Sequence, residues 1–92
     1  MTLTPEQRRE RGERAKRLLE DPLLIEAFQA VEMKAINDWL AATDVETRED
    51  CWRGARVVKG VRDHLASYLS DATLAEAQIE REKARRGKFN RL

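Results

Sequence analysis

His64 is the only histidine and Cys51 the only cysteine in the 92 residues, so nucleophilic or metal chemistry would have to begin with them. A general base needs a nucleophile within hydrogen-bond reach and a third group to orient it. His64 projects well away from the apolar stripe through Val58, beside Asp63, and no serine or second cysteine completes a constellation with it. It reads as a surface histidine. One Cys and one His cannot build a zinc site in a single chain, and no disulfide can form within it. Cys51 falls on an apolar helix face and reads as a small core residue. Glu49 and Asp50 could be a carboxylate pair, but they lie in the first turn of a helix, where negative charge suits the dipole without any catalytic role. "GARVVKG" (54–60) has the glycines of a phosphate loop. It lacks the Gly-Lys-Ser/Thr ending, and no strand precedes it. Gly54 reads instead as a close approach between helices, and Gly60 as solvent-facing. The residues therefore point to no catalytic group, metal ligand set or cofactor, and a non-enzymatic protein is expected.

Helices must position whatever these residues do. Apolar residues make up 41% and charged residues 38% of the chain, with four Gly and two Pro and no alternating apolar run. That composition predicts one small all-α domain over 1–92. "TPEQ" supplies Thr4 as N-cap, Pro5 at the first helical position and Gln7 for a capping box. The helix that follows, to about Glu20, is basic and has almost no apolar face before Leu18 and Leu19, and Gly12 weakens it, so residues 1–20 are expected to be mobile unless a partner orders them. Asp21-Pro22 restarts the chain. The next helix, about 22–42, carries Leu24, Phe28, Val31, Ala35 and Trp39 in one stripe, widened by Ile25 and Ile36. Thr43 with Glu46 has capping-box spacing, and Asp44 is a competing cap. The helix from there, about 45–69, has a stripe of Cys51, Ala55, Val58, Leu65 and Leu69. A connection this short makes the two an antiparallel helical hairpin. "SDATLAE" contains a third capping box, Thr73 and Glu76, so a short C-terminal helix over about 74–86 is expected, with Gly87 as its stop and 87–92 a disordered tail.

Two charges violate the apolar stripes: Glu32 in the second helix and Arg62 in the third. Folding the helices back on each other brings residues with sums near 90–94 together, which pairs Glu32 with Arg62. An unpaired charge in an apolar seam costs several kcal/mol, so an ion pair within the seam is expected, with about 3–5 kcal/mol lost on removing one partner. The functional alternative is that two copies of Glu32 and Arg62 line an oligomer centre or a ligand pocket. The same fold-back sets Trp39 near Trp52 at the turn end. There they could either cap a small core or anchor an interface, where Trp is enriched. Leu40 and Met33 widen the second-helix stripe into a surface that a two-helix unit cannot cover, and self-association into a homo-oligomer would cover it.

Charge is unevenly spread. Residues 21–80 hold six Lys/Arg against twelve Asp/Glu, whereas residues 81–92 hold six Lys/Arg against one Glu. The basic arm, Arg81, Lys83, Arg85, Arg86, Lys88 and Arg91, could meet phosphates or an acidic protein surface. No helix-turn-helix, RNA-recognition or zinc-finger signature accompanies it. The chain begins "MTLTPEQRRERGERAKR", without an apolar signal region, and no stretch approaches a membrane span, so no membrane partner and a cytoplasmic location are expected.

From Leu19 to Glu80 the chain resembles small helical proteins encoded near the head and packaging genes of tailed phages and prophages. The residues carrying this are "LLEDPLLIEAFQAVEMKAINDWLAATD" and "VRDHLASYLSDATLAEAQIE": an Asp-Pro helix start, an inner Phe, an Ile and an aromatic further along, a Thr-Asp turn and an Arg-x-His-Leu. The resemblance implies a structural or assembly accessory role, in the host cytoplasm or on the virion, with a capsid or portal component as partner. Two other roles stay open. One is a nucleic-acid-binding or DNA-packaging-associated protein using the basic ends, and the other is a phage-encoded inhibitor of a host protein.

Overall fold

A computed structural model describes the backbone of residues 2–90 and the side chains of residues 2–87. The chain is all-helical: α1 spans Pro5–Glu20, α2 Pro22–Ala41 and α3 Val45–Asn90.

Short polar side chains set the helix starts. Thr4 Oγ1 accepts from the Gln7 amide at 3.2 Å, and Gln7 Oε1 accepts from the Thr4 amide at 2.9 Å. This satisfies two amides that lack helical partners. Asp21 ends one helix and begins the next. Its backbone is extended, its amide donates to the Leu18 carbonyl, and its carboxylate accepts from the amides of Leu23 and Leu24. At the α3 start Asp44, not Thr43, is the cap, accepting from the Thr47 amide at 2.9 Å. That bond holds the Asp44 carboxyl below its ordinary pKa, helped by the Thr47 hydroxyl.

The molecule is a rod of 75 × 26 × 19 Å with a radius of gyration of 20.3 Å. A compact domain of this length would have about 12 Å. The rod follows from the spacing of the inward residues on α3. Cys51, Ala55, Val58, Arg62, Leu65, Leu69, Ala72, Glu76 and Ile79 alternate at four and three residues, and all are buried or half-buried. This 3.5-residue period keeps one seam facing a partner along a two-stranded coiled coil. Two shorter helices cover that seam in succession. In α1 the facing residues are Arg8, Gly12, Ala15 and Leu19; in α2 they are Phe28, Glu32 and Ala35. Arg8 reaches Asp71 and Gln78, while Leu19 shares a groove with Arg62, so α1 runs opposite to α3. Glu32 meets Arg62, and Trp39 lies beside Trp52, so α2 does the same further along.

Several expectations are corrected here. The segment 1–20, expected to be mobile, is packed against α3, and it supplies buried Gly12 and Ala15. Gly12 is the reason. A Cβ there would overlap the Cβ of Ala72 and lie 2.9 Å from the Tyr68 carbonyl oxygen. The missing side chain lets the two backbones approach, which matters more than its helix propensity. Gly54, expected to mark a close approach, has nothing within 4 Å of a built Cβ.

The expected break at 70–73 is absent, and the helix expected over 74–86 is the second half of α3. Ser, Asp and Thr disfavour a helix interior by only a few tenths of a kcal/mol each. Here Thr73 returns its hydroxyl to the Leu69 carbonyl at 3.1 Å, and Ala75 is fully buried. Packing outweighs propensity. Gly87 does not stop the helix, so residues 87–90 of the expected tail are helical. Arg91 and Leu92 lie outside the described residues.

Gly12→Ala should therefore destabilise the fold by about 1–3 kcal/mol, the usual penalty of overpacking. Gly54→Ala should be stabilising by about 0.5–1 kcal/mol. Urea unfolding of both variants checks this. Equal effects of the same sign would mean that α1 does not sit on α3.

Candidate functional site

Three places gather side chains that could act on something outside the chain. The first lies between α1 and α3. Arg8 Nη2 meets Asp71 Oδ1 at 2.6 Å, and its Nε meets Oδ2 at 3.0 Å. Arg11 Nη2 adds a bond to Asp71 Oδ2 at 3.0 Å while its guanidinium lies over the Tyr68 ring. Arg9 pairs with Glu76 at 3.3 Å. Tyr68 also meets His64, whose Nε2 is 3.0 Å from the phenol oxygen. The hydrogen bond from Arg8 holds the Asp71 carboxyl below its ordinary pKa, against partial desolvation, and Arg11 adds to it. This cluster fastens one helix to another. Sequence reasoning did not find it, because its signal is a match between Arg8/Arg11 and a distant Asp71.

The second is the Glu32–Arg62 pair. The structure brings the two into contact, and the Arg62 guanidinium also lies 5.2 Å from the centre of the Phe28 ring. An arginine on the seam thus has a carboxylate at its edge and an aromatic face beneath it. The pair is not enclosed as expected: the side chains are 36% and 39% exposed. It borders a groove with Leu19, Ile25 and Gln29, open to solvent.

The third is apolar. Ala35, Ile36, Trp39, Cys51, Trp52 and Ala55 line an open groove of about 210 Å³ across α2 and α3. Trp39 is 43% and Trp52 55% exposed. Val45 and the Trp rings continue the patch towards the turn, where Arg48 lies over Trp39 and Arg56 over Trp52. Cys51 is half-buried in the groove, not in a core. Met33 and Leu40 are exposed on α2 but do not line the groove.

The basic arm is helical. Arg81, Lys83, Arg85 and Arg86 are all exposed on the last turns of α3. Lys88 lies in the helix, its side chain outside the described residues, as is all of Arg91. Among the described residues no group of three or more His, Cys, Asp or Glu could hold a metal ion. No described helix is long and apolar enough to cross a membrane. Comparison with protein-family models, curated proteins and solved structures finds no match to the chain.

Two outcomes follow from the polar contacts. Glu32→Ala should reduce stability by about 1 kcal/mol in urea, as for a solvent-screened pair. A loss above about 3 kcal/mol would restore the enclosed pair. Asp71→Asn should lower the melting temperature at neutral pH. The Asp71 pKa is depressed in the folded state, so its stabilisation is fully present above the unfolded value near 3.9 and disappears as pH falls through the lower folded value. The gap between wild type and variant should therefore be constant from pH 7 to about 5 and close below about pH 4. A variant as stable as wild type at neutral pH would contradict the Arg8–Asp71–Arg11 clamp.

Proposed function

We propose that the chain is a non-enzymatic helix–helix interaction protein that self-associates through the Trp39/Trp52 side of α2 and α3. One observation carries this reading: the apolar side of the rod is uncovered. No residue of α2 is buried, and among the described residues the only buried apolar side chains are Ala15, Ala75 and Ile79, on α1 and the far half of α3. A compact monomer of this mass exposes about 5,500 Å²; this chain exposes 7604 Å². The excess, about 2,000 Å², is more than the roughly 800 Å² per partner that a stable interface needs.

A second copy fits the surface. Two helices presenting one apolar side become a four-helix bundle when an identical pair packs on them about a two-fold axis. Trp, Ile and Arg rim the same patch, and Trp and Arg are the residue types that carry interface energy. Such a bundle suits the assembly role implied by the resemblance to phage head and packaging-region proteins. In that role the partner beyond the second copy is a virion component such as capsid or portal, met in the host cytoplasm or on the particle.

Light scattering across a concentration series tests the reading. Wild type should give a defined mass that is a multiple of 10.7 kDa. Trp52→Glu, which places a charge in the patch away from the α1 contact, should shift it to the monomer without loss of helicity. A wild-type monomer at all concentrations, with normal cooperative melting, would end the self-association reading.

A further inference from the structure

The last turns of α3 have no partner helix. α1 begins at Pro5, and its polar contacts reach no further along α3 than Gln78. From Lys83 to Gly87 every residue is exposed. The helix nevertheless continues to Asn90, about 10 Å beyond Lys83 at 1.5 Å per residue. Its cations are uncommitted. Among the described residues, Arg81, Arg85 and Arg86 have no carboxylate within ion-pair distance, and Lys83 has only a 3.8 Å approach from Glu80. In α1, Arg8, Arg9 and Arg11 are engaged by Asp71 and Glu76, whereas Arg14, Lys16 and Arg17 are exposed and, among the described residues, have no ion pair.

We propose that this end of α3, residues 81–87, is an arm that binds the phosphate backbone of double-stranded nucleic acid. A lone helix about 10–12 Å across matches the major groove, which is about 12 Å wide. Backbone contacts need cations and no base-specific side chains, and arginine suits phosphate oxygens well.

The competing occupants fit less well. Protein interfaces are anchored by large apolar or aromatic side chains, and Ala84 is the only apolar residue in 81–87. A membrane-surface helix needs an apolar face, which the same composition denies. Single strands are held by stacking successive bases on several aromatic rings, and the helix end up to Asn90 contains one, Phe89. The acidic turn end of a second copy is compensated only in part, since Glu49 and Asp50 share one arginine. Asp38 is paired with Lys34, Glu49 and Asp50 with Arg53, and Asp44 caps α3. The arm shares no residue with the Trp39/Trp52 surface, so either proposal can fail without the other.

The test is titration of a short duplex of arbitrary sequence with the full chain at several salt concentrations. The comparison is a variant with Arg81, Lys83, Arg85 and Arg86 all changed to Gln. Those positions are exposed and Gln keeps the helix propensity, so circular dichroism should be unchanged. Wild type should bind with a log–log salt slope of about −4, and the variant should flatten that slope by about 3 to 4 units. The same chain should bind polyglutamate and anionic lipid vesicles at least tenfold more weakly than the duplex. No duplex binding at low salt would overturn the proposal. So would an unchanged slope in the variant, or equal affinity for polyglutamate or vesicles.

Discussion

The contact at Gly12 governs the rest of this molecule. Where α1 crosses α3, the absent side chain of Gly12 meets Ala72 and the Tyr68 carbonyl, with Ala15 and Ala75 buried beside it. Close backbone approach brings Arg8 and Arg11 within reach of one carboxylate, Asp71. These two interactions sit where "SDAT" would otherwise invite a break. They join what would be two helices into a single α3. A seam of 3.5-residue period can then run the length of the rod.

A two-stranded rod has no interior in the usual sense, and this has functional consequences. α1 docks through small residues and buries them fully. α2 docks through larger ones and leaves them half-covered. The two halves of α3 therefore differ: one is tightly clasped by α1, and the other carries the open Trp39/Trp52 groove. Among the described residues, the far tip has no covering helix and carries arginines without an ion pair. Stability is concentrated in the α1–α3 half, and the surfaces open to partners lie outside it.

The parts of this architecture that were legible in the sequence are local or depend on violations of a pattern. Thr4 with Gln7 and Asp21 with Pro22 declare helix ends through hydrogen bonds a few residues away. Glu32 and Arg62 stood out because each interrupts an apolar stripe, although the solvent left around them could not be read from periodicity. The α1 docking was hidden for a physical reason. Gly12, Ala15, Ala72 and Ala75 carry little hydropathy, so a face built from them looks like no face. The apparent break at 70–73 misled because capping residues are weak signals. Once Thr73 bonds back to Leu69 and Asp71 is held by two arginines, their preference for a helix end is outweighed. The glycines show the same limit: type alone does not tell Gly12, which needs the space, from Gly54, which does not.

Amide hydrogen exchange across α3 tests most directly whether the α1 contact joins its two halves. The account predicts that the amides of residues 70–74 exchange as slowly as those of 58–66, and far more slowly than those of 83–87. Fast exchange confined to 70–74, flanked by protected segments, would show two helices separated by a hinge. It would contradict the claim that the Gly12–Ala72 contact makes α3 one element.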